Sequence, residues 1–211
     1  MNAGSDMDIR GIREYPHPAA WRIAMLAKVP ERLQTARLVL ARITPLDFPD
    51  ITAMYQDPRV MATLGGLVSM DVINERCRAL AANWDDFGFG LWTARHRADG
   101  RFTGRGGLRR CHIAGRDEVE VSYAFIPEFW GQGLATELAR ESVRVGFEDL
   151  KLPELVCFTL PTNTASRHVM EKVGFQFEKD VEWAELPHVL YRLKWCEWAG
   201  FESPNGARLA S

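Results

Sequence analysis

Apolar residues recur along the chain at two periods, and each block predicts an element. Residues 37–43 (Arg-Leu-Val-Leu-Ala-Arg-Ile) read as a strand, and residues 45–55 as a helix entered through Thr44 and Pro45 and stopped at Asp57-Pro58. After the Gly65-Gly66 break, Ser69 or Asp71 caps an amphipathic helix that runs to Trp84, with Val72, Cys77, Leu80 and Trp84 predicted on its buried side. Residues 90–94, 102–111 and 118–126 read as three strands separated by Asp99-Gly100 and Ala114-Gly115-Arg116, which implies an antiparallel meander. Gly131-Gln-Gly133 opens a helix with Leu134, Leu138, Val143 and Val145 as its stripe, and residues 155–160 form a buried strand. Asn163 or Thr164 then caps a short helix carrying Ala165, Val169 and Val173 and ended by Gly174. Residues 175–183 and 188–195 make a final hairpin around Glu185-Leu-Pro187. The order predicts one α+β domain with a βαβ step in its second half.

The core domain is expected over residues 33–196. Residues 1–32 form an N-terminal extension, in which residues 21–29 have the pattern of two helical turns, and residues 197–211 form a tail. A chain of 211 residues buries enough surface to stand without staples. Its 26 basic and 28 acidic residues give a net charge of -2, which argues against a dedicated nucleic-acid binder while leaving room for a local basic pocket. Cys77, Cys111, Cys157 and Cys196 stand far apart without metal-ligand spacing, so reduced, mostly buried thiols and no metal are expected. The chain shows neither a signal-peptide core nor a membrane-length apolar run, so a cytoplasmic location and no membrane partner are expected.

The chemistry concentrates in residues 123–137, Tyr-Ala-Phe-Ile-Pro-Glu-Phe-Trp-Gly-Gln-Gly-Leu-Ala-Thr-Glu. A strand passing through a double-glycine turn into a helix leaves several backbone N–H groups aimed at one spot, and that spot attracts phosphate. A glycine pair is also an ordinary turn, so the motif gains weight from its companions. Trp130 to Glu137, residues 163–175 (Asn-Thr-Ala-Ser-Arg-His-Val-Met-Glu-Lys-Val-Gly-Phe) and residues 187–193 (Pro-His-Val-Leu-Tyr-Arg-Leu) together resemble the GNAT N-acetyltransferase superfamily, specifically its ribosomal-protein N-acetyltransferase-like branch. The opening residues 35–42 and Asp57-Pro-Arg-Val60 resemble that branch as well, and the similarity spans about residues 33–195 in order.

The resemblance implies a GNAT fold: a mixed, mostly antiparallel sheet flanked by helices and splayed between its fourth and fifth strands, with acetyl-CoA entering the gap. By similarity, the backbone of Phe125 and Ile126 pairs with the pantetheine arm, and the N–H groups of Gln132, Gly133, Leu134, Ala135 and Thr136, beside Trp130 and Gly131, cradle the pyrophosphate. Asn163, Ser166 and Met170 share one helix face expected to look into the groove, with Arg167 and Lys172 beside it as candidates for the 3′-phosphate. Asn163 also reads as a plain helix cap, and solvated surface charge is the more ordinary role for Arg167 and Lys172. Many members of the superfamily carry a tyrosine acid where Met170 stands, so the acid role falls to Ser166, to water or to no group.

Attack on a thioester needs a neutral amine, whereas a lysine amine near pKa 10.4 and an α-amine near 7.7 to 8.0 are wholly or partly protonated at pH 7. Glu120 is the foremost candidate base, with Glu118 sharing its face by alternation, and an amide near Ile126 is the expected oxyanion donor. His188 and Tyr191 fall on opposite faces of the last strand, so one lines the acceptor cavity while the other packs. The expected activity is acetyl transfer from acetyl-CoA to a primary amine, either a protein N-terminal α-amine or a small molecule, by a monomer or homodimer. The alternative is a non-catalytic acyl-CoA binding or sensing module.

Overall fold

The computed structural model describes residues 29–201. Eight strands form one open sheet in the order β1-β2-β3-β4-β5-β6-β8-β7. They are β1 (Arg32–Gln34), β2 (Leu38–Arg42), β3 (Leu91–His96), β4 (Phe102–Ile113), β5 (Arg116–Phe125), β6 (Glu154–Thr159), β7 (Gln176–Trp183) and β8 (Leu186–Lys194). Every neighbouring pair is antiparallel except β5 and β6, which are parallel. The helices are α1 (Phe48–Gln56), α2 (Pro58–Met61), α3 (Met70–Phe87), α4 (Leu134–Arg144), α5 (Thr164–Val173) and α6 (Trp195–Phe201).

Local chemistry explains most boundaries. Ser69 accepts the Val72 N–H at 3.4 Å and so caps α3, whose buried side is Ile73, Cys77, Leu80 and Trp84. The expected Val72 gives way to Ile73, which stands one turn before Cys77 on the same face. As expected, α1 stops at Asp57, which is extended. Its carboxylate accepts the Arg59 N–H at 2.9 Å and starts the one-turn α2. Beyond Arg144, α4 continues into a π-helical turn over Val145–Asp149 that keeps Val145 and Phe147 buried.

One core lies between the sheet and α4 with α5, built on Leu108, Val121, Leu134, Leu138 and Leu155. A second, including Ile51, Met54, Ile73, Leu80 and Ala124, packs α1 to α3 on the opposite face. β1 was not expected; it pairs with β2, and Val29 is already buried, so the packed chain begins before residue 33. The tail also differs: from Trp195 the chain is helical, and the Trp198 ring packs 5.4 Å from that of Phe147. The last hairpin turns at Ala184-Glu185, both at positive φ, rather than at Glu185-Leu-Pro187. The helical turns expected at residues 21–29 fall outside the described residues except at their end.

Candidate active site

β5 and β6 pair only where Glu120 lies beside Val156. Beyond that point they diverge toward Phe125 and Thr159, which are the fourth and fifth of the strands expected from the sequence. Gly104 stands opposite Phe125, and the Ile126 N–H donates to the Thr103 carbonyl at 2.9 Å. Antiparallel alternation then assigns the main-chain groups of Tyr123 and Phe125, not those of Ile126, to the opening. Ile126, expected beside Phe125 as a pantetheine partner, thus spends its N–H on β4, and the amide near it that faces the gap is that of Phe125. The Phe125 carbonyl already accepts the Trp130 indole N–H at 2.6 Å. A cavity of about 600 Å³ runs through the gap and reaches both faces of the sheet.

On the Tyr123 face, Trp130, Gly131, Gly133, Leu134, Ala135 and Thr136 line this cavity. Gly131 and Gly133 stand at φ of +72° and +78°, so conformation requires glycine there. Crowding does not: a Cβ on Gly133 meets only Arg37 Nη2, at 3.6 Å, and one on Gly131 meets nothing. The first helical bond of α4 runs from the Glu137 N–H to the Gly133 carbonyl at 3.1 Å, so the amides of Leu134, Ala135 and Thr136 have no acceptor within the helix. Three free amides at a positive helix end make an anion cradle.

Gln132 does not line the cavity. Its side-chain amide donates to the Glu128 carbonyl at 2.9 Å, and its own carbonyl accepts from Arg37 Nη1 at 2.7 Å. Arg37 also donates to Glu137 through Nε and its backbone N–H, both at 2.7 Å, while the Thr35 hydroxyl donates to the same carboxylate at 2.5 Å. Burial alone would raise the Glu137 pKa, but the bonds from Thr35 and Arg37 outweigh it and hold the carboxyl below the usual range. This clamp fixes the loop from behind.

On α5, Asn163 Oδ1 accepts the Ser166 N–H at 3.1 Å and its Nδ2 donates to Thr159 Oγ1 at 3.0 Å, so the cap role holds while Asn163 also lines the cavity. Met170 is buried in the core and not in the groove, because the face that lines the cavity carries Ala165, Ser166, Val169 and Lys172. Arg167 turns away, donating to the Tyr191 hydroxyl at 3.2 Å and to the Pro161 carbonyl at 3.4 Å. Of the two cations considered for a phosphate, Lys172 is the one at the cavity.

The residue missed from sequence is Tyr123. Its hydroxyl donates to the Ser166 carbonyl at 3.1 Å and lies 3.1 Å from Ser166 Oγ, and burial pushes its pKa well above the ordinary phenol range. Twofold alternation from Phe125 and the opposite phase to Glu120 were the available signals.

The other face carries Glu118, Glu120, Ser122 and Ala124. Glu118 is held by Arg192 at 2.9 Å and Arg116 at 3.3 Å, outside the cavity. Glu120, 4% exposed, lines it; Oε2 accepts from Arg109 Nε, while Oε1 takes no hydrogen bond from a described residue. His188 lines it too, with Nδ1 3.0 Å from the Leu186 carbonyl. A carbonyl only accepts, so Nδ1 carries hydrogen and the neutral ring keeps its lone pair on Nε2. Tyr191 packs in the core on the opposite face. Burial pushes the Cys111 and Cys157 thiols far up, which disfavours nucleophilic thiolates. Among the described residues no cluster of three His, Cys, Asp or Glu suits a metal, and no helix is long and apolar enough to cross a membrane.

The family described as acetyltransferase (GNAT) domain matches residues 37–176. An uncharacterized N-acetyltransferase, YoaA of Bacillus subtilis, is 30% identical over 149 residues, covering 69% of this chain and 83% of that protein. The FsC-acetyl coenzyme A-N(2)-transacetylase of Aspergillus fumigatus is 33% identical over 135 residues, 57% of each chain. Among solved structures, an acetyltransferase of Agrobacterium tumefaciens superposes with a TM-score of 0.70 at 25% identity over 86% of this chain and 98% of the other. A Vibrio cholerae spermidine N-acetyltransferase, solved with CoA and spermine, shares the fold at a TM-score of 0.62 and 16% identity over 78% and 99% of the two chains.

Proposed function

The chain belongs to the GNAT acetyltransferase family, acetyl-CoA-dependent N-acetyltransferases, and we propose that it acetylates a primary amine by direct attack, the acceptor being a small molecule or a protein N-terminal α-amine. Our finer assignment within the family is the ribosomal-protein N-acetyltransferase-like branch, supported by the motifs at residues 130–137 and 163–175. The observation that carries the reading is the continuity of one cavity from the amides of Leu134, Ala135 and Thr136 through the β5–β6 gap to Glu120.

In this reading the cradle amides hold the pyrophosphate of acetyl-CoA, and the open main-chain edge at Tyr123 and Phe125 holds the pantetheine arm as an added strand. The Phe125 N–H, facing the opening, donates to the carbonyl oxygen as it gains charge. The new bond joins the acceptor nitrogen to the acetyl carbon while the carbon–sulfur bond breaks, giving the amide and CoA. Glu120, through Oε1, takes the proton that the amine must lose, and His188 Nε2 stands on the same face as a second acceptor. The guanidiniums of Arg105 and Arg109 around this space disfavour an ammonium and lower the acceptor's pKa, which shares the work of deprotonation. Tyr123, aligned by Ser166, gives its proton to the departing sulfur, which meets the need that Met170 leaves open.

The test is acetyl-CoA binding by calorimetry beside CoA release over a panel of amines and peptides. Binding with acceptor-dependent release supports the proposal. Binding with no release from any acceptor would favour the acyl-CoA sensing module, and no binding would end both.

A further inference from the structure

On the Glu120 face the cavity wall holds more positive charge than the transfer chemistry explains. Arg76 of α3 and Arg105 and Arg109 of β4 line it, and Glu120 is the one lining carboxylate among the described residues. Arg109 occupies Glu120. Arg105 is 8% exposed, and its bonds are to neutral groups: Nε donates to the Tyr55 hydroxyl at 3.1 Å and Nη1 to Ser122 Oγ at 3.0 Å. Among the described residues no carboxylate lies within ion-pair distance of it. The Arg105 and Arg76 guanidinium carbons stand 5.7 Å and 5.9 Å from the centre of the same Tyr55 ring, so both cations lie against that ring. Burial first, and then repulsion from Arg105 and Arg109, lowers the Arg76 pKa.

A buried guanidinium without an anion is costly, and its fork geometry matches an oxyanion. The phosphates of acetyl-CoA do not fill this need, since the amide cradle begins α4, which packs on the opposite sheet face against Leu108 and Val121. We propose that the acceptor amine carries an oxyanion, a carboxylate or a phosphate-like group, which Arg105 binds with Arg76 beside it while the amine reaches toward Glu120. Tyr55 and Ser122 hold the Arg105 fork in position for that ligand. This rests on the N-acetyltransferase reading and narrows its acceptor: cationic polyamines are disfavoured, and small amino acids or related amino-oxyanions are favoured.

The experiment measures binding and turnover separately on the full chain. Calorimetry on the CoA-loaded protein compares α-amino carboxylates, their carboxamides, the matching α-aminophosphonates and spermidine; CoA release is then measured with the same compounds. The expected result is binding of the oxyanion compounds about tenfold or more tighter than the carboxamides, with that ratio falling to within about twofold in Arg105→Gln. The relative affinity of carboxylate and phosphonate identifies which oxyanion the site takes. Acetyl-CoA affinity in the same variant reports whether the fold is intact, and Arg76→Gln, which should also lower the ratio, serves if Arg105→Gln fails to fold. Carboxamides or spermidine binding as well as the carboxylates, or a preference that survives the Arg105 substitution, overturns the inference. Oxyanion binding with no CoA released from any compound would leave this site standing and refute transfer; release confined to spermidine or neutral amines would do the reverse.

Discussion

Replacing Tyr123 with Phe separates the proton-donor role from everything else the side chain does. The ring stays in place, so the loss is confined to a hydroxyl 3.1 Å from the Ser166 carbonyl and 3.1 Å from Ser166 Oγ. One neutral hydrogen bond is worth about 1 kcal/mol, which in a domain of this size lowers Tm by about 2–4 °C. The catalytic effect should be much larger. Losing a positioned general acid typically lowers the rate by about 10² to 10⁴, or roughly 3 to 5 kcal/mol of barrier. Because burial holds the Tyr123 pKa well above the ordinary phenol range, the hydroxyl is protonated throughout neutral pH, so the defect should be as large at pH 7 as at pH 9. Steady-state CoA release at saturating acetyl-CoA and acceptor gives kcat, and calorimetry gives acetyl-CoA affinity, which should change by less than about threefold. Ser166→Ala, which removes only the orienting hydroxyl, should lower kcat less, by about tenfold. A Tyr123→Phe enzyme with kcat within about threefold of the parent would refute the donor role.

Glu120→Gln keeps an oxygen for Arg109 but removes the base, so turnover should fall more at pH 7 than at pH 9, where more of the amine is already neutral; an equal loss at both pH values excludes Glu120. Gly133→Trp, which strains a left-handed position in the cradle turn and meets Arg37 of the clamp, should weaken acetyl-CoA binding by about a hundredfold or more in calorimetry, and retained affinity would move the cradle elsewhere. Glu137 has a lowered folded-state pKa, so its stabilisation is complete above the unfolded carboxyl pKa of about 4.3 and is lost as pH falls through the folded value. Denaturant titrations should therefore show the stability gap between the parent and Glu137→Gln shrinking from pH 6 to pH 3; a gap that is constant or widens toward acid contradicts the clamp.

The cradle was legible in sequence because it is local. Two glycines and the apolar stripe after them act within a few residues of one another, as Asn163 does with the helix it caps, and their geometry follows from propensity alone. What escaped depended on phase or on distant pairing. Whether Ile126 or Phe125 presents its amide to the gap follows from the β4–β5 register, which pairs Gly104 with Phe125 and cannot be read from either strand alone. On α5, spacing alone placed Asn163 and Ser166 at the cavity but also Met170, which sits one helical step from the inward face, and it could not tell Lys172 from Arg167. The Arg105 site joins Tyr55, Arg76 and Ser122 from three separate elements, and only the folded sheet brings them together. Ala184-Glu185 turns the last hairpin without the glycine or asparagine that marks such turns.

The most direct measurement is a crystal structure of the full chain with CoA bound. The account predicts the pyrophosphate on the amides of Leu134, Ala135 and Thr136, the pantetheine arm along Tyr123 and Phe125, and the sulfur within hydrogen-bond reach of the Tyr123 hydroxyl. A closed β5–β6 gap, or CoA bound away from the Gly131–Thr136 turn, would contradict it.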